Sequence, residues 1–101
     1  MAHPVLSVTF MAMHPEYPVA HVADAVSEVL DIDSTSTTTE ASAVRGKTIV
    51  RLISTADCDV SFGPSADAET DEVLIRIVSS TPEYFALSVG DKVSVITAAH
   101  E

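Results

Sequence analysis

A chain of 101 residues holds one hydrophobic core and is too short for two. Apolar residues make up 47% of it, yet aromatics are few and Trp is absent, so Val, Ile, Leu, Ala and Met must fill that core. Fifteen acidic against five basic side chains give a net charge of -10, which disfavours nucleic acid and anionic membrane as partners, and the lone Cys58 excludes an internal disulfide or a cysteine-based metal cluster.

From the N-terminus, Val5 to Met13 alternates, with Leu6, Val8, Phe10 and Ala12 on one side and Ser7, Thr9 and Met11 on the other. That period predicts a first strand, or an arm that becomes a strand on meeting a partner. Pro15 and Pro18 bracket Glu16-Tyr17, a segment that cannot join a central sheet. Val19 to Leu30 fits a helical i, i+3, i+4 pattern and a strand equally. The reading adopted is an irregular or short helical start running into a strand near Glu28 to Ile32. The Ser/Thr-rich segment from Asp33 to Ser42 is either a mobile loop or an exposed edge strand. Arg45-Gly46-Lys47 is a compact turn.

The run from Thr48 to Gly63 organises the chain. It reads as a strand, a tight break at Ala56-Asp57, and a second strand stopped by Gly63-Pro64. The first half is nearly continuous in β-branched residues, as for a strand covered on both faces. The second half alternates Cys58, Val60 and Phe62 against Asp59 and Ser61, as for one dry and one wet face. The two halves suggest a chain crossing from the middle of a sheet toward its rim. Beyond an acidic loop at 65–72, Val73 to Val78 reads as a central strand with Arg76 on its wet or interface face. Ser80 to Glu83 turns the chain into Tyr84 to Leu87, Gly90-Asp91 marks another turn, and Val93 to Thr97 is the last strand. The fold class is all-β: a small β-sandwich or barrel-like domain of about six to eight short strands, with little helix. Residues 1–20 are set apart as an N-terminal arm that orders on assembly, and residues 21–101 as a single β domain.

Charge is uneven: no Lys or Arg precedes Arg45, while Glu16, Asp24, Glu28, Asp31, Asp33 and Glu40 all do. Such asymmetry suits docking on a basic surface, and equally suits solubility. No secretory start or spanning apolar run is visible, so a soluble protein made in the cytoplasm is expected.

No catalytic motif is present, and an enzyme is not expected. The acidic loop 67–72, helped by Asp57 and Asp59, supplies oxygens of the kind calcium takes but fits no defined loop spacing, and Asp31-Ile32-Asp33 leads to Glu40 without the required glycine. A solvated loop is the preferred reading. His3, His14, His21 and His100 show no ligand spacing. Cys58 lies on the apolar face of a strand and reads as a small buried hydrophobe rather than a nucleophile. Tyr84-Phe85 seats a turn against the core. No catalytic, cofactor-binding or metal residue is therefore assigned, and no cofactor.

The run Val50 to Gly63, a variable loop, then Thr81-Pro82-Glu83-Tyr84-Phe85, then Val89 to Ile96 resembles a group of small tailed-bacteriophage proteins encoded among virion structural genes. The Ser/Thr-rich segment before the central run is similar to that group as well. The resemblance covers about half the chain, in the family's order. It implies a virion component without catalytic residues. In that setting a capsid decoration or cement protein is expected: a β-rich domain on the outer head surface that binds the major capsid protein and forms a homo-oligomer, with a trimer favoured. Alternatives are a head-tail connector or tail component, or a module binding calcium or glycan through residues 64–72.

Overall fold

The computed structural model describes residues 3–13 and 20–98, and the side chains of all of these except 13 and 20–25. Its strands are β1 (Val5–Met13), β2 (Ala20–Asp31), β3 (Thr37–Thr38), β4 (Ile49–Ser54), β5 (Cys58–Gly63), β6 (Ile75–Ile77), β7 (Glu83–Ala86) and β8 (Lys92–Thr97). They form two four-stranded sheets, a front sheet ordered β2-β1-β4-β7 and a back sheet ordered β3-β8-β5-β6. Every pairing is antiparallel, and no described residue is helical. The all-β sandwich expected from the alternating runs is the fold found.

The core lies between the sheets. Leu6, Val8 and Phe10 of β1 and Val50 and Leu52 of β4 point inward from the front. Cys58, Val60, Ile77, Val93 and Val95 meet them from the back, and all ten are at most 1% exposed. Each such aliphatic contributes about 1.5–3 kcal/mol on burial. Phe62 of β5 and Phe85 of β7 join the sheets at one side, ring centroids 5.1 Å apart. The segment between β3 and β4 is laced to the back sheet. Thr39 N–H donates to the Val93 carbonyl at 2.9 Å, Val93 N–H returns a bond to Thr39 Oγ1 at 3.2 Å, and Ala43 N–H donates to the Asp91 carbonyl at 2.7 Å. Gly46 and Gly90 take positive φ, 87° and 96°, at the two turns the sequence marks, where a side chain would be strained.

Three expectations change. Residues 5–13 are not an arm: β1 is an interior strand paired to β2 on one side and β4 on the other. The 20/21 boundary cuts the β1–β2 hairpin, and the proline-bracketed residues 14–19 lie outside the described residues. The helical start proposed from Val19, itself outside the described residues, gives way to strand from Ala20, because β1 supplies partners to residues 20–21 and 26–31, with an irregularity between Phe10 and Ala12. Such pairing overrides the weak local preference of a Val/Ala sequence. Of the two readings of residues 33–42, the edge strand is the one found, over Thr37–Thr38 as β3 and half-buried. The Val73 to Val78 run is no central strand; only Ile75–Ile77 pairs, at the edge of the back sheet.

The organising run also behaves in reverse. Residues 55–57 carry the chain from front to back sheet, so β4 and β5 are interior strands of different sheets rather than a middle and a rim. β4 alternates buried and half-buried, while the first four residues of β5, which looked half-wet, are all buried.

Candidate functional site: the two outer faces

Period-two alternation assigns the outward side chains. On the back sheet they include Thr38, Asp59, Ser61, Arg76 and Ser94, in register across β3, β8, β5 and β6. These are polar residues, yet Asp59, Ser61 and Ser94 are buried, at 7%, 2% and 0% exposure. The cover is the chain's own loop. Ala66 and Ala68 pack down on the sheet and are themselves buried, small enough to let backbone approach strand. Ala68 N–H donates to Ser94 Oγ at 2.9 Å, and Thr38 Oγ1 lies 3.1 Å from both the Ala66 carbonyl and Ser94 Oγ. Arg76 Nε reaches Asp59 Oδ1 at 2.6 Å beside the cover.

The loop's carboxylates are spent on holding it. Ser36 donates through its hydroxyl to Asp67 Oδ1 at 2.7 Å and through its N–H to Glu69 Oε1 at 2.8 Å. Asp67 Oδ1 also takes the Glu69 N–H at 3.0 Å, and Asp71 Oδ2 takes the Asp67 N–H at 3.0 Å. The Ser36 hydroxyl, then the Glu69 N–H, hold the Asp67 carboxyl below its ordinary pKa. Asp57 accepts from Ser79 N–H at 2.8 Å. The expected solvated loop is thus a docked one, and its carboxylates face protein donors rather than converging on a cation. An open depression of about 550 Å³ flanks it, lined by Phe62, Gly63, Pro64, Thr70, Asp71 and Val73 among others.

The front sheet's outer face is built differently. Its cross-strand rows are Asp31–Val5, then Val29–Ser7–Ile53, then Ser27–Thr9–Arg51–Tyr84, then Met11–Ile49–Ala86. Val29 and Tyr84 are 65% and 57% exposed, and Thr9 and Ser27 bond to each other through their hydroxyls at 3.0 Å. Among the residues of these strands whose side chains are described, Arg51 and Asp31 are the only charged ones on this face. No segment of the described chain is hydrogen-bonded across it as the loop is across the back sheet.

At the end of β1 and β2 the ladder continues, Ile32 N–H donating to the Pro4 carbonyl at 3.0 Å. This brings exposed His3 opposite Asp33, Nε2 to Oδ1 3.1 Å, with Asp31 on the same side. One donor atom from each lies within 4.8 Å of the other two. Residue spacing alone hid this set, because it depends on which strand pairs with which; the visible signal was only the i, i+2 pair Asp31 and Asp33 on an alternating run. The described part of the chain does not bring His3 to another of the four histidines, and His14 and His100 lie outside the described residues.

Cys58 is fully buried between the sheets. Burial pushes its thiol up to about 11, against the nearby Ser54 hydroxyl, which acts in the opposite direction. A thiol so held is a core group, not a nucleophile. Among the described residues no helix is long and apolar enough to cross a membrane. No family model, curated protein or solved structure matches this chain.

Proposed function

We propose that this protein is a non-enzymatic virion component, a capsid decoration protein that binds the outer head surface and stabilises contacts between major capsid subunits. The observation that carries the reading is the front sheet's outer face, a charge-poor and partly apolar surface among the side chains described, on a chain of net charge -10. Such a surface favours adhesion to a neighbour. The segments that resemble phage proteins support it too. They fall on β4 and β7, adjacent in the front sheet, and on β5 and β8, adjacent in the back sheet, so together they form one contiguous slab of the sandwich. The acidity suits a place outside the shell, away from packaged DNA. A calcium module based on residues 64–72 is disfavoured by the donors already facing those carboxylates.

The test is a density map of the whole particle, with mass spectrometry of purified virions. The reading expects many copies on the head exterior, each touching more than one capsid subunit. Copies confined to the neck or tail would replace decoration by a connector or tail role. Absence from purified particles would remove the virion reading altogether.

A further inference from the structure

We propose that the outer face of the front sheet is a self-complementary contact, by which two copies of this chain pack sheet to sheet about a twofold axis. A chain carrying -10 repels its own copies wherever acidic surfaces meet. This face is where that repulsion is least: among the strand side chains described, Arg51 and Asp31 are the charged ones on it, with His3 and Asp33 beside Asp31 at the end of β2. Apolar Val29, Ile53 and Tyr84 lie around them, with Val29 and Tyr84 more than half exposed. Arg51 makes no side-chain hydrogen bond or ion pair with a described residue.

The positions of the two charges select a second copy as the occupant. Arg51 sits on β4 two rows from Asp31 on β2, with Ser7 of β1 midway between them. Strand spacing and rise separate the two by roughly 17 Å. A twofold axis lying in the contact plane, passing over Ser7 and perpendicular to the line joining the two charges, places Arg51 of each copy over Asp31 of the other. One operation therefore forms two ion pairs, as an isologous interface requires. Around them it brings the apolar residues of the two faces together at the usual distance of about 10 Å between packed sheets. Three to four strands about 20 Å long outline a small patch, so the dimer belongs to the weak class, micromolar or looser. The inference assigns this face to a second copy, so a dimer through it would leave adhesion to a capsid to another surface, and it is tested on the purified protein alone.

The experiment is sedimentation and native mass measurement of the full chain over a concentration series up to about 1 mM, the range a weak contact needs. The variants are Arg51→Asp, Asp31→Arg, an equimolar mixture of those two, Val29→Lys, and Val73→Asp as a control on a residue 77% exposed and outside the front sheet. The wild type should dimerise reversibly, and each charge reversal should weaken the dimer about tenfold or more. The mixture should recover it as a heterodimer, since one variant then offers a carboxylate at both positions and the other a guanidinium at both, so each contact again pairs opposite charges. Val73→Asp should change nothing. Circular dichroism checks folding; should Arg51→Asp fail to fold, Val29→Lys on an exposed position decides by the same loss of dimer. A monomer throughout overturns the proposal. So does a dimer, or the trimer that the resemblance favours, whose mass these variants leave unchanged, and so does a folded mixture that shows no recovery.

Discussion

The two sheets of this sandwich share a core and differ in what lies on their backs. The back sheet turns serines, an aspartate and an arginine outward and lays residues 64–72 over the serines, sealed by Ala66, Ala68 and the Ser94 hydroxyl, with the exposed Arg76 beside the cover on Asp59. The front sheet turns Val29, Ile53, Ile49 and Tyr84 outward, and the described chain lays no such loop over them. The back face is closed over Ser61 and Ser94, whereas on the front face Val29 and Tyr84 stay exposed and Met11 is buried. A polar face covered by backbone gains hydrogen bonds that fix the loop in one place. The exposed apolar side chains of the front face gain nothing in the isolated chain, and in the contact proposed above a second copy covers them.

Substitutions on the covered and the exposed face should therefore behave differently. The largest contrast is expected between Ala68→Asp and Val29→Asp. A carboxylate forced under the cover should cost up to about 3–5 kcal/mol, limited by the free energy of lifting the loop off the sheet. Val29→Asp should stay within about 0.5 kcal/mol in dilute protein; urea unfolding of both compares them directly. Next, Ser94→Ala removes the acceptor of the Ala68 N–H and should cost about 1–3 kcal/mol through the orphaned donor. Ser61→Ala should go the other way. The Ser61 hydroxyl is buried with no hydrogen-bond partner, so its removal should be neutral or stabilise by up to about 1 kcal/mol.

The smallest effect is a pH dependence. The Asp67 pKa is lowered in the folded protein, so its contribution is present above the ordinary aspartate pKa and is lost as pH falls through the lowered folded value. Ser36→Ala should slightly lower the melting temperature near neutral pH, and the difference from wild type should shrink in acid. A difference independent of pH would detach Asp67 from the role given to it.

Much of the sandwich was legible because alternation survives wherever a strand has one buried face: Leu6-Val8-Phe10 and Val93-Val95 announce themselves. What misled was information held in pairing. Prolines at 15 and 18 made the N-terminus look detachable, yet deletion through Ala20 would strip Leu6, Val8 and Phe10 from the core and leave β2 and β4 without the strand between them. No cooperative unfolding transition should remain in such a truncation. β5 looked half-wet because Asp59 and Ser61 are polar, and no local signal says that a loop several residues later returns to cover them. The candidate contact was hidden for a similar reason. Arg51 and Asp31 lie far apart in sequence and share a face only once β1 is placed between their strands.

The contrast between faces is read most directly by thiol reactivity, since the native Cys58 is buried and its thiol pKa is raised. Single cysteines at Ser94, under the loop, and at Val29, on the open face, are labelled in dilute and in concentrated protein. Position 94 should stay inert throughout, while position 29 should react at once when dilute and slow as concentration rises. Equal rates at the two positions, or a rate at 29 indifferent to concentration, would contradict a molecule that closes one face itself and leaves the other for its copy.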